Sequence, residues 1–396
     1  MNKPFLFFIF FLIVFDLQVP FLPNGYGSSL VVLVLLLATA FLRSKLKISG
    51  QVFCALIPLL LLHLAIALFV VVRLLYDKGE EFQVLLSVAK SATVFLAISL
   101  FFLLFERAVN AIPSLIKSIF LVNALICFVA GSIPPVLDVV RYFQFESSAT
   151  TFITYRNSFL SGSGFFSIGS AYGLATFFII YTFMIERRIS DFRTVASILL
   201  IFAAGFVAAR VSMIGFALSA PLLLLRNFKI FVRSSFVLIG AVVIFLSVPG
   251  LDKYNSWLFE FFSNGLQSST LAVLLQDMYF IPDLSTFVFG DGKYGLSGEV
   301  YYGGSDVGYM RNLFFGGIPY VTLLLTFPML LLLEARKHKA ILCIGSAILI
   351  CAFHAKGAFI YNNAQGMSVF YAIYLYVRMS KGSKVYIENT PERKPV

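Results

Sequence analysis

TVASILLIFAAGFVAARVSMIGFALSAPLLLL, Thr194–Leu225, is an apolar run with a single charge, Arg210. A helix crossing the bilayer needs about 20 such residues. The run is too long for one crossing and suits two short ones. The natural break is Arg210, because a charge within the hydrocarbon is costly. We read two short helices joined by a tight turn that holds this arginine. The rest of the chain follows the same logic. It is 60% hydrophobic and only 12% charged, with a mean hydropathy of +0.93. That charged share is about half the ordinary share of a soluble domain. The chain therefore reads as an all-α, polytopic integral membrane protein.

Twelve spans are predicted: 5–22, 28–42, 51–72, 82–105, 115–132, 163–185, 194–209, 211–225, 234–248, 313–333, 340–353 and 359–377. They form one transmembrane domain over 1–380, followed by a polar tail, 381–396. Twenty of the 30 Lys and Arg (fifteen between Lys3 and Lys339, five from Arg378 on) fall on the side of the N-terminus. The bias of basic residues toward cytoplasmic loops then places both termini in the cytoplasm. The net charge of +11 is explained by this bias and calls for no nucleic acid. The four cysteines, Cys54, Cys127, Cys343 and Cys351, lie in apolar runs and read as small buried hydrophobes. The first span is too long and lacks the cleavage site of a removable signal.

Two long loops face the opposite side, about 133–162 and 249–312. The second contains TFVFGDGKYGLSGEVYYGGSDVGYMRNLFFGGIPY, Thr286–Tyr320, the most polar and glycine-rich stretch of the chain. Before it, Leu271, Leu274, Leu275 and Met278 share a helical face, predicting a short amphipathic helix that lies on the membrane or covers a site. The aromatic cluster around Trp257 suits the headgroup layer.

Candidate chemistry lies at the ends of the spans on this side. Arg210 stands where basic residues are sparse, and a guanidinium can grip a phosphate with two donors; the alternative is a snorkelling helix-end arginine. Arg156 precedes a Gly/Ser-rich helix start, a combination suited to anions, or is an ordinary loop residue. Arg311 is similar, with an interfacial anchor as its alternative. Asp306, five residues earlier, could take a proton from a hydroxyl or cap the following helix. His354 and Lys356 form a short polar turn that contacts substrate or is merely structural. Tyr294, Tyr302 and Tyr309 offer flat rings for sugar faces. Asp291 and Glu299 are weaker carboxylates. His63 reads as a packing residue, and Asp16 as a partner for another helix. No Walker A loop, HExxH, CxxC pair or DxD occurs. Neither a cofactor nor a metal is expected.

The arginine turn Ala209–Ser212, FGDG at Phe289–Gly292 and SDVGYMRNLFFGGI at Ser305–Ile318, with the twelve spans and two long loops, resemble the bacterial O-antigen polymerases of the Wzy family. The topology resemblance covers nearly the whole chain; the motifs cover about 155–225 and 286–320. The resemblance implies a glycosyltransferase-C-like architecture related to the O-antigen ligases, in the bacterial inner membrane. It also implies a reaction at the periplasmic face. Donor and acceptor are glycans linked to undecaprenyl diphosphate, and the acceptor hydroxyl displaces the diphosphate with inversion. In that frame Arg210 and Asp306 are catalytic. Arg156, Arg311, His354, Lys356, Tyr294, Tyr302 and Tyr309 bind substrate. A flippase and a chain-length regulator are the implied partners. The ligases usually carry a histidine in the long loop where this chain has Ser305-Asp306, which favours polymerase over ligase. A flippase of the same lipid-linked glycan is the rival from another class, but it needs no long outer loop.

Overall fold

The computed structural model describes residues 3–22, 26–42, 49–76, 82–145, 156–189, 191–226, 228–229, 231–232, 235–236, 273–274, 277–297, 300–335 and 339–379. The described chain is helical: α1 (Lys3–Phe15), α2 (Ser28–Leu42), α3 (Gly50–Tyr76), α4 (Phe82–Leu104), α5 (Ile112–Ser132), α6 (Pro134–Tyr142), α7 (Phe165–Ile179), α8 (Phe192–Ala208), α9 (Met213–Arg226), α10 (Leu284–Phe289), α11 (Gly308–Ala335), α12 (Ala340–Lys356) and α13 (Ala364–Met379). A two-residue ribbon pairs Leu296 with Tyr301. Five helical stretches are long and apolar enough to cross a membrane: Gly50–Tyr76, Phe82–Leu104, Glu106–Ser132, Phe165–Glu186 and Gly308–Ala335. Shorter apolar helices pack among them. This is a multi-pass helical membrane protein. The predicted ninth span, 234–248, lies almost wholly outside the described residues.

Central position follows from composition. α7 is Gly-, Ala- and Ser-rich, and every residue from Ile168 to Ile179 is buried. Small residues let neighbouring backbones approach, which is how helices associate where water supplies no driving force. At Gly215 of α9 a Cβ would lie 2.0 Å from the Gly173 carbonyl oxygen of α7. α13 is buried from Ala364 to Val377 and packs against α7. Peripheral α2 and α3 expose Leu35, Leu37, Leu61, Leu64 and Leu68, as lipid-facing surfaces do.

Several predicted spans are corrected. The first ends at Phe15, because Asp16 turns the chain with φ 43. Its Oδ1 accepts from the Ser29 N–H at 3.1 Å and the Ser29 hydroxyl at 2.6 Å, while Oδ2 lies 3.6 Å from Lys90 Nζ. Asp16 does pair with other helices. The last helix begins at Ala364 rather than Phe359. The span predicted from Leu313 begins at Gly308 and breaks at Gly316 (φ −139, ψ 16) and Gly317 (φ 62, ψ −161). Pro319 then sits in the first turn of the lower piece, where its missing N–H costs nothing. The turn Arg210–Ser212 between α8 and α9 is where the sequence placed it.

The segment 156–164 is irregular yet buried: Asn157, Ser158, Phe159 and Ser161 are at most 1% exposed. Non-helical backbone at this depth is tolerated only when protein satisfies its polar groups. Asn123 Oδ1 accepts from the Leu160 N–H at 3.0 Å. Gln144 donates to the Asn157 and Phe159 carbonyls, and Gln365 donates to the Ser161 hydroxyl.

The glycine break supplies a stability test. A Cβ at Gly317 would lie 2.3 Å from the Val288 carbonyl oxygen. Its φ 62, ψ −161 lies in a region that only glycine adopts readily and that costs another residue about 1–3 kcal/mol, and the clash adds to it. Gly317→Ala should lower the thermal midpoint of the detergent-solubilised protein; an unchanged midpoint would contradict the break.

Candidate functional site

Alternation of the helices brings the ends of α1, α3, α5, α8, α11, α12 and α7 that carry the candidate residues to one side. The opposite side is held by ion pairs, Glu186 to Lys339 at 2.7 Å and Glu334 to Arg378 at 3.0 Å.

At the candidate end, α8 stops because Ala209 is extended (φ −160, ψ 135), and the chain turns through Arg210. The buried segment before α7 delivers Arg156 to the same corner. Its Nε donates to the Ala208 carbonyl at 3.2 Å, and its guanidinium lies 4.7 Å from the Phe165 ring centroid. Burial first, and then the Arg210 charge, lower the Arg156 pKa to about 10. The two guanidiniums thus stand within electrostatic reach of one another at this corner. α7 starts here with Gly164 as its N-cap, and no side chain caps its first N–H groups. Phe165, its first residue, holds φ 49. Such a conformation in a bulky residue is strain of the kind found at binding sites.

The second long loop docks on the break in α11. A Cβ at Gly290 (φ 72) would lie 2.7 Å from the Gly316 and Gly317 nitrogens. Asp291 N–H donates to the Phe314 carbonyl at 2.6 Å. The two motif stretches therefore meet as one unit. Asp283 caps α10; hydrogen bonds from Ser285 and Thr286 hold its carboxyl down to about 2. Thr286 Oγ1 lies 2.6 Å from both Asp283 Oδ1 and Asp291 Oδ1, so its one proton serves one of the two. Tyr302 donates to Asp291 Oδ2 at 3.1 Å; burial, then Asp291, raises the phenol's pKa. Asp291 is thereby committed to holding the loop.

Leu274 and Met278 pack on Val307, Met310 and Phe314. The predicted apolar face covers the upper piece of α11, as far as its residues are described; Leu271, Leu275 and Glu299 lie outside them.

The other candidates have partners of their own. Arg311 is not open to solvent. It is 8% exposed, lies 4.3 Å from the ring centroids of both Tyr294 and Tyr301, and donates to the Tyr294 carbonyl at 3.4 Å. Aromatic faces replace the carboxylate as its neighbours. Tyr294 is consequently buried, not a sugar platform. Tyr302 is engaged with Asp291, and Tyr309 donates to the Cys351 carbonyl at 3.3 Å. His354 is buried, and its Nδ1 accepts from the Phe359 and Ile360 N–H groups at 3.2 Å each. Its Nε2 lies 2.8 Å from the Asn312 Nδ2. His354 shapes the turn after α12. Lys356 ends α12 half-buried.

Asp306 differs from Asp291. Its Oδ1 is shielded and has no hydrogen-bond partner among the described residues. It does not cap α11; the Ser305 hydroxyl accepts from the Val307 N–H at 3.3 Å instead. A shielded acceptor without a donor suits a ligand hydroxyl. His63 is the packing residue expected, stacked on Phe95 at 4.2 Å and bonded to the Leu59 carbonyl and the Tyr371 hydroxyl.

Arg73, which sequence reasoning passed over, donates to the Gly290 carbonyl at 2.9 Å and ties the FGDG turn to α3. The signal was available: it is a basic residue on the side where such residues are few. Lys90 was also missed, because a lysine inside a span gives no hint of its carboxylate partner 74 positions away. It lies 3.8 Å over the Phe145 ring as well as beside Asp16.

Among the described residues no group of three or more His, Cys, Asp or Glu could hold a metal ion. Comparison with family models, with curated proteins and with solved structures finds no match to this chain.

Proposed function

We propose that this protein polymerises oligosaccharide repeat units carried on undecaprenyl diphosphate, as an inverting O-antigen polymerase of the bacterial inner membrane. The reading includes twelve spans, both termini in the cytoplasm and a periplasmic site. The observation that carries it is the Arg156–Arg210 corner, two mutually repelling guanidiniums beside the uncapped start of α7. Paired cations and helix N–H groups are what a departing diphosphate requires.

The acceptor hydroxyl attacks the donor's anomeric carbon. The bond from that carbon to the diphosphate oxygen breaks, and the displacement inverts the centre. The hydroxyl proton passes to Asp306, whose shielded Oδ1 has no hydrogen-bond partner among the described residues. Arg156 and Arg210 take up the charge that develops on the leaving diphosphate. The segment 156–164 holds Arg156 at the corner, and Arg73 with Asp291 holds the loop that leads to Asp306.

Deletion of the gene in its native strain tests the reaction class. A polymerase mutant retains a lipid core capped with one repeat. Complete loss of repeats would instead mark a flippase and overturn this reading.

A further inference from the structure

The lower piece of α11, Ile318–Ala335, is about 27 Å long at 1.5 Å per residue. Its far end carries the Glu334–Arg378 pair, of which Glu334 is buried. The hydrocarbon core is about 30 Å thick. The break at Gly316–Gly317 therefore falls at the hydrocarbon boundary on the site's side. α10 touches that break through Val288 and Gly290, so it lies at the same level. α3 gives the same level independently. It is longer than the core requires, and Arg73, one turn from its end, reaches Gly290.

At this level the 281–289 segment is unusually apolar on its open side. Ile281 is 90% exposed, Leu284 77% and Phe289 68%. These continue the exposed apolar edge of α3, where Val72, Leu75 and Tyr76 are 57%, 77% and 80% exposed. Thr286 is buried and bonds the Asp291 carboxylate, while Asp283 and Ser285 at the start of α10 are exposed beside Leu284. An exposed apolar edge with a carboxylate beside it, at the boundary depth, matches an interfacial membrane element whose apolar residues meet acyl chains and whose charge meets the headgroups.

We propose that 281–289 is seated in lipid, with Leu284 and Phe289 among the upper acyl chains of the leaflet on the site's side. The bilayer then serves as the support for the FGDG turn, and it sets the height of the loop that carries Asp306. The inference depends on the membrane character of the fold and not on the reaction proposed above.

Tryptophan fluorescence tests it. The chain has one tryptophan, Trp257, so Trp257→Phe gives a dark background. Leu284→Trp and Phe289→Trp are added singly, with Leu64→Trp on the mid-span surface of α3 as the deep control. Each protein is reconstituted in phosphatidylcholine vesicles brominated either near the headgroup end of the acyl chain or deep within it. Shallow bromine should quench the 284 and 289 reporters at least two-fold and exceed deep bromine; Leu64→Trp should show the reverse order. Acrylamide should quench both reporters weakly. Strong acrylamide quenching without bromine quenching would place the segment in water. Insensitivity to both would mean that protein covers it. Either result overturns the proposal. Agreement of the two reporters guards against a local distortion by one substitution.

Discussion

Arg210→Ala should abolish long glycan chains and leave a single repeat on the lipid core. The expectation rests on the corner where Arg210 meets Arg156 and where α7 begins without a side-chain cap. Removing one donor aimed at developing charge typically costs 10²–10³-fold in rate. A processive polymer needs many successive additions, so a loss of about that size per step shortens chains to one repeat. The structure adds a second arm. Arg156 already donates to the Ala208 carbonyl, so it is fixed by the protein at one nitrogen. Arg210→Lys should restore short chains only, because an ammonium lacks the planar pair of donors. Chain lengths on gels, with immunoblots showing ordinary protein levels, are the measurement. Normal lengths from Arg210→Ala would reduce the residue to a helix-end anchor.

Asp306→Asn should cut polymerisation of purified lipid-linked repeats by roughly 10²–10⁴-fold, the usual worth of general-base assistance. Folding should survive, since Asp306 caps no helix and its Oδ1 has no partner among the described residues to lose. Asp291→Asn is the informative contrast. That carboxylate holds Tyr302 and the loop, so its loss should lower thermal stability together with activity. Asp306→Asn should lower activity alone. A native rate from Asp306→Asn would send the search for a base to another carboxylate or to the substrate itself. His354 is a poor substitute, with both ring nitrogens engaged by Asn312 and the following turn.

What was legible in the sequence divides along physical lines. Hydropathy located the helices because lipid imposes a length and forbids charge. The same cost singled out Arg210 and Asp16. Leu274 and Met278, four positions apart, were correctly assigned to one face that covers something. The sequence could not say what each ionisable group meets. Arg311 carries the same signal as Arg210, yet its guanidinium lies against the Tyr294 and Tyr301 rings of its own chain, with Nε buried and without a hydrogen-bond partner among the described residues. His354 likewise turned out to serve backbone N–H groups only five and six residues on. The helix break at Gly316–Gly317 was hidden because hydropathy runs through it, and only the backbone angles reveal it.

The buried segment before α7 has a consequence for how the protein is made. Its backbone is satisfied by Asn123 of α5 and by Gln144, and its Ser161 hydroxyl accepts from Gln365 of α13. The last of these emerges from the ribosome some 200 residues after the segment itself, as the separation of 204 positions between Ser161 and Gln365 requires. Until that helix inserts, the Ser161 hydroxyl lacks this donor, while Asn123 and Gln144 already hold the segment and the Ala208 carbonyl already holds Arg156. The segment is therefore anchored first by helices made early and completed by one made later.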